Sequence, residues 1–238
     1  MFETWLLIIL VSQVTAFAVN YLGDTLPEPR RLRPKAVRQL DDDKVRGYDN
    51  KFRALTVHAT LLAAFVFFFN VDISNWGTAD MVLIFGYFTL VAVIDVEHRL
   101  ILNSVSLIGV LFLGSIGVEQ HGWTSTLTGG VAGFVIFYVL FLLAQWLAKW
   151  VSARREEELS EVPFGGGDVN LAGVIGLLVG WPGVIAGLFL GLVLAGVYSA
   201  GLIVWRWARG RYKAFDTIPL GPFLGAGAML AIILSAAV

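Results

Sequence analysis

The chain consists largely of long apolar runs that are separated by short polar segments. A helix rises 1.5 Å per residue, so about 20 apolar residues cross the ~30 Å hydrocarbon core of a membrane. On this basis we predict eight transmembrane helices. Their bounds are Trp5–Tyr21, Leu55–Val71, Asp80–Ile94, Leu100–Val118, Thr126–Ala148, Val169–Gly180, Gly183–Trp205 and Ile218–Val238. The expected fold class is all-α: a polytopic integral membrane helical bundle, with one transmembrane domain over residues 1–238.

The composition agrees with a membrane protein and limits the kinds of site that the chain can form. Of the 238 residues, 57% are hydrophobic and only 15% are charged, which is typical of a polytopic membrane protein. There is no cysteine, so disulfides and thiolate metal sites are excluded. The three histidines, His58, His98 and His121, are scattered, and His58 is interpreted as a hydrogen-bonded core residue. We therefore expect neither a metal nor a cofactor, and no nucleic-acid partner.

The basic residues are strongly segregated along the chain. Nine of the 17 Lys and Arg lie between Arg30 and Arg53, after the first predicted span. The others follow the third, fifth and seventh spans: Arg99, Lys149, Arg154, Arg155, Arg206, Arg209, Arg211 and Lys213. The connections at residues 72–80, 119–123 and 181–183 hold none. Because basic loops stay in the cytoplasm, eight spans place both termini outside and two cytoplasmic loops at about residues 23–53 and 149–168.

Two acids stand at the ends of apolar runs. Asp168 follows Phe164-Gly165-Gly166-Gly167 and precedes a stretch, Val169–Trp205, that contains no charged residue. Asp95 ends the apolar run Met81–Ile94. A carboxylate at such a position is costly and suggests a function, and the predicted topology places both acids at the cytoplasmic face. The ordinary alternative is that Asp168 is a helix N-cap and Asp95 an interfacial residue.

Two carboxylates in one site can hydrolyse a peptide bond without a metal or cofactor. Like charges a few ångströms apart do not both ionise easily, so the pair shares a proton. The ionised carboxylate accepts a proton from water, while the protonated one polarises the carbonyl group. Glycines before one acid allow a substrate strand to approach closely. Asp95 and Asp168, on different predicted helices, have the residue types that this chemistry requires.

The local sequences around both acids resemble those of a known family. The run Ile94–Asn103 resembles the first acid motif of bacterial type IV prepilin peptidases, which are membrane aspartic proteases of the Gly-x-Gly-Asp class. Gly165–Val169 resembles their second motif, and Leu171–Trp181 and Ile218–Leu224 also resemble the family. The resemblance covers roughly residues 81–228. Three motifs in order, each at a predicted cytoplasmic span end, are far more specific than a lone Gly-x-Gly-Asp.

The resemblance implies an endopeptidase of the bacterial inner membrane with its active site facing the cytoplasm. Its partners are prepilin or pseudopilin precursors, from which it removes a short basic leader. Asp95 and Asp168 become the catalytic pair. The residues that shape the motifs or flank the substrate are then Gly165, Gly166, Gly167, Glu97, Pro219, Gly221 and Pro222. The acids Glu156–Glu158 and Glu161 are expected to attract the basic leader, and the oligomeric state is not indicated.

This chain departs from the family pattern in three respects. Leu102 stands where the family usually has proline, which predicts a less rigid turn. Asn170 stands where a lysine is common, so a cation that favours an ionised Asp168 is absent. The paired Cys-x-x-Cys motifs associated with N-methylation are missing. We therefore expect peptidase activity and do not expect N-methyltransferase activity.

Two other functional classes fit parts of the pattern. Intramembrane acids among glycine-rich helices also occur in proton- or cation-coupled transporters, although both acids here are predicted at one face and the sequence shows no internal repeat. A catalytically inactive relative that serves as a pilus-assembly scaffold is the other alternative, suggested by Leu102 and Asn170. Cleavage of a leader peptide separates these classes, because neither a transporter nor a scaffold performs it.

Overall fold

The computed structural model describes residues 2–26, 50–70, 76–155, 165–209 and 218–236. Within these ranges the chain forms seven α-helices and no β-strand. The helices are α1 (Phe2–Thr25), α2 (Asn50–Asn70), α3 (Thr78–His98), α4 (Asn103–Arg155), α5 (Gly166–Val179), α6 (Gly183–Ala208) and α7 (Gly221–Ala236). The chain divides into two compact units, residues 1–99 with α1–α3 and residues 100–236 with α4–α7.

The predicted class, an all-helical membrane protein, is confirmed. Four segments of the described chain are long and apolar enough to cross a membrane: Phe52–Asn70, Thr78–His98, Asn103–Trp150 and Gly183–Ala208. Large apolar side chains such as Leu111, Phe189 and Val197 are exposed, as expected of a surface that faces lipid.

The prediction of eight full-length spans is not supported. The described helices α5 and α7 have 14 and 16 residues, which is about 21 and 24 Å at 1.5 Å per residue. Each is therefore shorter than the ~30 Å hydrocarbon core. In addition, the fourth and fifth predicted spans are parts of a single element, α4.

Helix α4 is divided by one glycine. The element has 53 residues, and Gly122 within it has φ 75° and ψ 165°. A positive φ is readily adopted only by glycine, so the chain breaks there into two helical arms, residues 103–121 and 123–155. The polar connection predicted at Glu119–Trp123 is thus a sharp break and not a loop, since the residues on both sides of Gly122 remain helical.

In the first unit, α1 packs against both α2 and α3, and α2 also contacts α3. Polar side chains contribute to these contacts. His58 on α2 lies with its Nδ1 atom 2.6 Å from Oε1 of Gln13 on α1. His58 is therefore a hydrogen-bonded residue within the bundle, as predicted. Such pairing satisfies polar groups that lipid cannot.

In the second unit, α5 packs along both arms of α4 at very short range. Gly117 on the first arm faces the backbone of Leu177, and Gly129 on the second arm faces the backbone of Gly176. A Cβ atom at either glycine would collide with backbone atoms of α5. Small residues allow membrane helices to approach in this way. Helices α6 and α7 pack similarly, since a Cβ at Gly191 would lie 2.9 Å from Cα of Leu224.

The turn between α5 and α6 is fixed against the second arm of α4. The N–H of Trp181 donates to the carbonyl oxygen of Ser125 at 3.0 Å, and Oγ of Ser125 donates to the carbonyl oxygen of Trp181 at 2.9 Å. The break at Gly122 and this turn therefore share one end of the second unit. The beginnings of α4 and α5 lie at the opposite end, where Asn103 and Asn170 are hydrogen-bonded.

We expect the substitution Gly176→Ala to destabilise the protein, because its new methyl group would displace the backbone of α4. Overpacking of this kind costs about 1–3 kcal/mol. The thermal unfolding midpoint in detergent should fall relative to wild type. Gly201→Ala on α6 is the control, since nothing lies within 4 Å of a Cβ there. Equal midpoints for the two variants would contradict the packing described here.

Candidate active site

Asp95 lies in the last turn of α3 and is buried, with 5% of its surface exposed. The helix ends at Arg99, which has φ 50° and ψ 43° and so adopts the left-handed conformation of a helix C-cap. The N–H of Arg99 donates to the carbonyl oxygen of Asp95 at 2.8 Å. This 5→1 bond is the αL capping motif, and it fixes the backbone that carries the Asp95 side chain.

Asp168 lies in the first turn of α5. The N-cap is Gly165, whose N–H donates to Oδ2 of Asp168 at 3.0 Å. In return, the N–H of Asp168 donates to the carbonyl oxygen of Gly165 at 3.1 Å. The alternative in which Asp168 is itself the N-cap is therefore wrong, because Asp168 occupies the third helical position. A carboxylate there interacts favourably with the positive end of the helix dipole.

A second acid in the chain has the same local structure. At the beginning of α3 the N-cap is Gly77, and its N–H donates to Oδ2 of Asp80 at 3.3 Å. Asp80, like Asp168, is the third residue of its helix. A glycine N-cap with an aspartate at the third position is thus a structural device that this chain uses twice. Asp80 therefore provides a matched control for Asp168.

The three glycines before Asp168 have different surroundings. A Cβ at Gly167 would lie 2.7 Å from Cβ and 2.8 Å from the carbonyl oxygen of Ile101, in the segment before α4. Nothing lies within 4 Å of such an atom at Gly166, and both Gly165 and Gly166 are exposed. Gly167 therefore shapes the motif by allowing close packing inside the second unit. The expected roles of Gly165 and Gly166 beside a substrate strand stay predictions.

The residues that depart from the family pattern are accommodated in the helix beginnings. Leu102 is buried, and its carbonyl oxygen accepts a hydrogen bond from the N–H of Ser106 at 3.0 Å, at the beginning of α4. Nδ2 of Asn170 donates to Oδ1 of Asn103 at 3.3 Å. Asn170 thus joins the first turns of α4 and α5.

A groove of about 450 Å³ starts beside this asparagine pair. Its polar lining consists of Asn103, Ser106 and Asn170. Its apolar lining comes from both arms of α4 and from α5: Leu107, Val110, Leu127, Gly130, Val131, Phe134, Gly173, Val174 and Leu177. Because Asn170 follows Asp168 by two residues, the polar end of the groove adjoins the turn that carries the candidate catalytic acid.

Glu97, two residues after Asp95, is engaged in an ion pair. Its Oε1 and Oε2 atoms lie 3.0 and 2.7 Å from Nη1 of Arg53. The predicted first cytoplasmic loop, at about residues 23–53, includes Arg53, whereas the structure places this residue, buried, in the first turn of α2. A signal for this pairing was present: the predicted topology puts Asp24, Arg53 and Glu97 at the same membrane face.

The segment that contains Pro219, Gly221 and Pro222 leads into the beginning of α7. The carbonyl oxygen of Leu220 accepts hydrogen bonds from the N–H groups of Phe223 and Leu224 at 3.1 and 3.0 Å. Pro222 therefore lies in the first turn, where a missing N–H breaks no helical bond. Pro219 precedes the helix and Gly221 begins it. Their predicted position beside the substrate strand stays a prediction.

The two acids belong to different units, Asp95 to residues 1–99 and Asp168 to residues 100–236. Their pairing therefore stays a prediction, as does the use of Glu97 toward a substrate. The acids expected to attract the leader, Glu156–Glu158 and Glu161, lie outside the described residues. Among the described residues, no three His, Cys, Asp or Glu side chains are grouped as metal ligands.

Comparison with known proteins decides the family. The model of the type IV leader peptidase family matches residues 81–200, half of the chain, and this range contains both Asp95 and Asp168. The chain belongs to the type IV leader peptidase family. A curated relative, the prepilin leader peptidase/N-methyltransferase of Bacillus subtilis (strain 168), is 25% identical over 146 residues. The match covers 60% of this chain and 51% of that relative. No solved structure matches the chain.

In this member of the type IV leader peptidase family, we expect Gly167→Ala to lower the stability of the protein and Gly166→Ala to leave it nearly unchanged. An added methyl group at Gly167 must push Ile101 away, at a cost of about 1–3 kcal/mol. The same group at Gly166 meets open space. Thermal unfolding in detergent should show a lower midpoint for Gly167→Ala alone. A loss of stability in both variants would mean that the whole glycine run, and not the contact with Ile101, is needed for folding.

Proposed function

We propose that this protein is a membrane-embedded aspartic endopeptidase that removes the basic leader of prepilin or pseudopilin precursors at the cytoplasmic face of the bacterial inner membrane. The observation that carries the proposal is the family match over residues 81–200, which includes Asp95 and Asp168. The name of the B. subtilis relative supports a prepilin-type substrate. The proposal does not extend to N-methylation.

In the proposed reaction, Asp95 and Asp168 act together on one water molecule and one peptide bond. The ionised acid accepts a proton as water attacks the carbonyl carbon. The protonated acid donates a hydrogen bond to the carbonyl oxygen and stabilises the negative charge that develops there. Collapse of the tetrahedral intermediate then transfers a proton to the leaving amine.

The helix positions suggest which acid has which role. Asp168 accepts a hydrogen bond from the N–H of Gly165 at the positive end of α5, and both effects stabilise a negative charge. Asp95 is buried in the last turn of α3, where the C-terminal carbonyl groups form the negative end of a helix dipole. We therefore assign the general base to Asp168 and the proton-bearing acid to Asp95.

The proposed topology keeps all basic segments in the cytoplasm and both termini outside. If the two arms of α4 are counted separately, the described chain has eight helical segments, and four stretches of it are long and apolar enough to cross a membrane. The position of the Gly122 break and the α5–α6 turn at the same end of the second unit agrees with this arrangement. In this arrangement the short helices α5 and α7 cross a locally thinner region of the bilayer or end below the membrane surface.

We expect Asp95→Asn and Asp168→Asn each to lower leader cleavage by about 10²- to 10⁴-fold, the usual contribution of a general acid or base. Each variant is co-expressed with a tagged prepilin, and cleavage is followed as a shift in gel mobility. Asp80→Asn is the matched control, because Asp80 has the same cap geometry as Asp168. It should retain cleavage close to that of wild type.

The outcomes distinguish the competing functions. Cleavage by wild type and by Asp80→Asn, but by neither of the other variants, supports the peptidase. If well-expressed wild type leaves several prepilins uncut, the peptidase is excluded. A proton- or cation-coupled flux in liposomes then indicates a transporter, and its absence favours a pilus-assembly scaffold.

The topology makes a separate prediction, since the chain has no cysteine of its own. In intact cells, a membrane-impermeant maleimide should label Glu119→Cys, near the Gly122 break. It should label Lys149→Cys, near the end of α4, only after the membrane is opened. The reverse pattern would invert the proposed orientation, and labelling of both positions in intact cells would contradict a crossing between them.

A further inference from the structure

Arg53 is held by side chains from all three helices of the first unit. Its Nη1 atom binds Glu97 of α3 at 2.7 and 3.0 Å. Its Nη2 atom binds Oδ1 of Asp24 at 2.7 Å, and its Nε atom binds Oδ1 of Asn20 at 3.2 Å. Asp24 and Asn20 are both on α1. All three nitrogen atoms of the guanidinium group are therefore used, and together they join α1, α2 and α3 at one point.

The part of this network that reaches α3 is the buried part. The side chain of Arg53 is 6% exposed and that of Glu97 is 9% exposed, whereas that of Asp24 is 54% exposed. A buried pair becomes strongly destabilising if one partner is removed, because an uncompensated charge is left behind. One nitrogen, Nη1, contacts both oxygens of the Glu97 carboxylate, and hydrogen bonds between two ionised groups are shorter and stronger than those between neutral groups. The network is thus rigid where it contacts Glu97.

Glu97 and Asp95 occupy the same last turn of α3. The contacts that hold this turn include the cap bond from Arg99 to the carbonyl oxygen of Asp95 and the ion pair from Glu97 to Arg53. The cap bond acts on the backbone within the turn itself. The ion pair joins the turn to α1 and α2, and it therefore contributes to the position of Asp95 in the unit.

From this geometry we propose that Arg53 is a positioning residue for the catalytic acid Asp95, acting through Glu97. The inference rests on the proposed peptidase function, in which Asp95 must meet the scissile bond in a fixed orientation. Misplacement of a reacting group by about 1 Å lowers a rate by about 10²-fold. Loss of Arg53 should therefore reduce kcat and leave KM nearly unchanged, because a side chain that is only 6% exposed offers little surface for a substrate.

The test compares Arg53→Leu with the double variant Arg53→Leu/Glu97→Leu. The single variant leaves Glu97 buried without a partner and should lose both stability and about 10²-fold in kcat. In the double variant both charges are gone, so the unfolding midpoint should recover while kcat stays low. If kcat recovers together with the midpoint, Arg53 only balances charge and the proposal is overturned. A raised KM with normal kcat would also overturn it.

A matched control is available in the same unit. His58 joins α2 to Gln13 of α1, and among the described residues it forms no hydrogen bond with α3. His58→Leu should lower the unfolding midpoint without changing kcat. An equal loss of kcat in His58→Leu would show that any loosening of the unit lowers activity, and this result would contradict a specific role for Arg53.

A spectroscopic measurement separates this proposal from the peptidase function itself. A nitroxide attached at Val96→Cys, which is exposed beside Asp95, reports the mobility of the last turn of α3. Its spectrum should show greater mobility in Arg53→Leu and in the double variant, but not in His58→Leu. If wild type cleaves no leader, the peptidase function fails, and this spectrum alone decides whether Arg53 positions the turn. An unchanged spectrum in all variants would refute the positioning role.

Discussion

A polar group inside a membrane protein must find its partner within the protein, because lipid offers none. This constraint accounts for the set of polar side chains around Arg53. In the first unit, one buried guanidinium group, that of Arg53, satisfies Glu97, Asp24 and Asn20 together. The ends of three helices are thereby fixed at a single point. The Asp95 turn is joined to α1 and α2 through charged hydrogen bonds, which are more directional than apolar contacts.

In the second unit, the helices are brought together by close packing of their backbones. Glycines at Gly117, Gly129 and Gly176 bring α5 against both arms of α4, so that main chains contact without intervening side chains. The beginning of α5, with Asp168, is then located by Gly167 against Ile101. One acid is therefore positioned by a charged network and the other by close packing of glycines.

The sequence was sufficient for the fold class and for most helix positions, because hydropathy and the distribution of Lys and Arg are strong signals in a membrane protein. It was insufficient for lengths and breaks. Nothing in the residues around Gly122 distinguishes a sharp break from a short loop, since the left-handed conformation of one glycine decides it. The predicted sixth span, Val169–Gly180, is itself short and agrees with α5, which has 14 residues and ends at the Trp181 turn.

At the candidate site, the local geometry of a helix turn is not enough to identify a catalytic acid. Asp168 and Asp80 have the same cap bond to a glycine N–H, so the conformation of the turn does not by itself identify a catalytic acid. The proposed catalytic role of Asp168 rests instead on the motif around it and on the family match over residues 81–200. For Arg53 the geometry is informative and the sequence motif is not. No motif indicates its proposed role, because its partners are distant in sequence and are brought together by helix packing.

The predicted topology gives the proposed acid pair a further property. In a chain that crosses a membrane repeatedly, every face presents the ends of some helices and the beginnings of others. Asp95 is at the end of α3 and Asp168 at the beginning of α5, so the two acids experience opposite ends of helix dipoles. An asymmetric pair, with one acid that holds a proton and one that releases it, then needs no additional charged residue. Under this view the missing lysine at Asn170 removes a redundant cation, because the first turn of α5 already stabilises the charge on Asp168 through the N–H of Gly165.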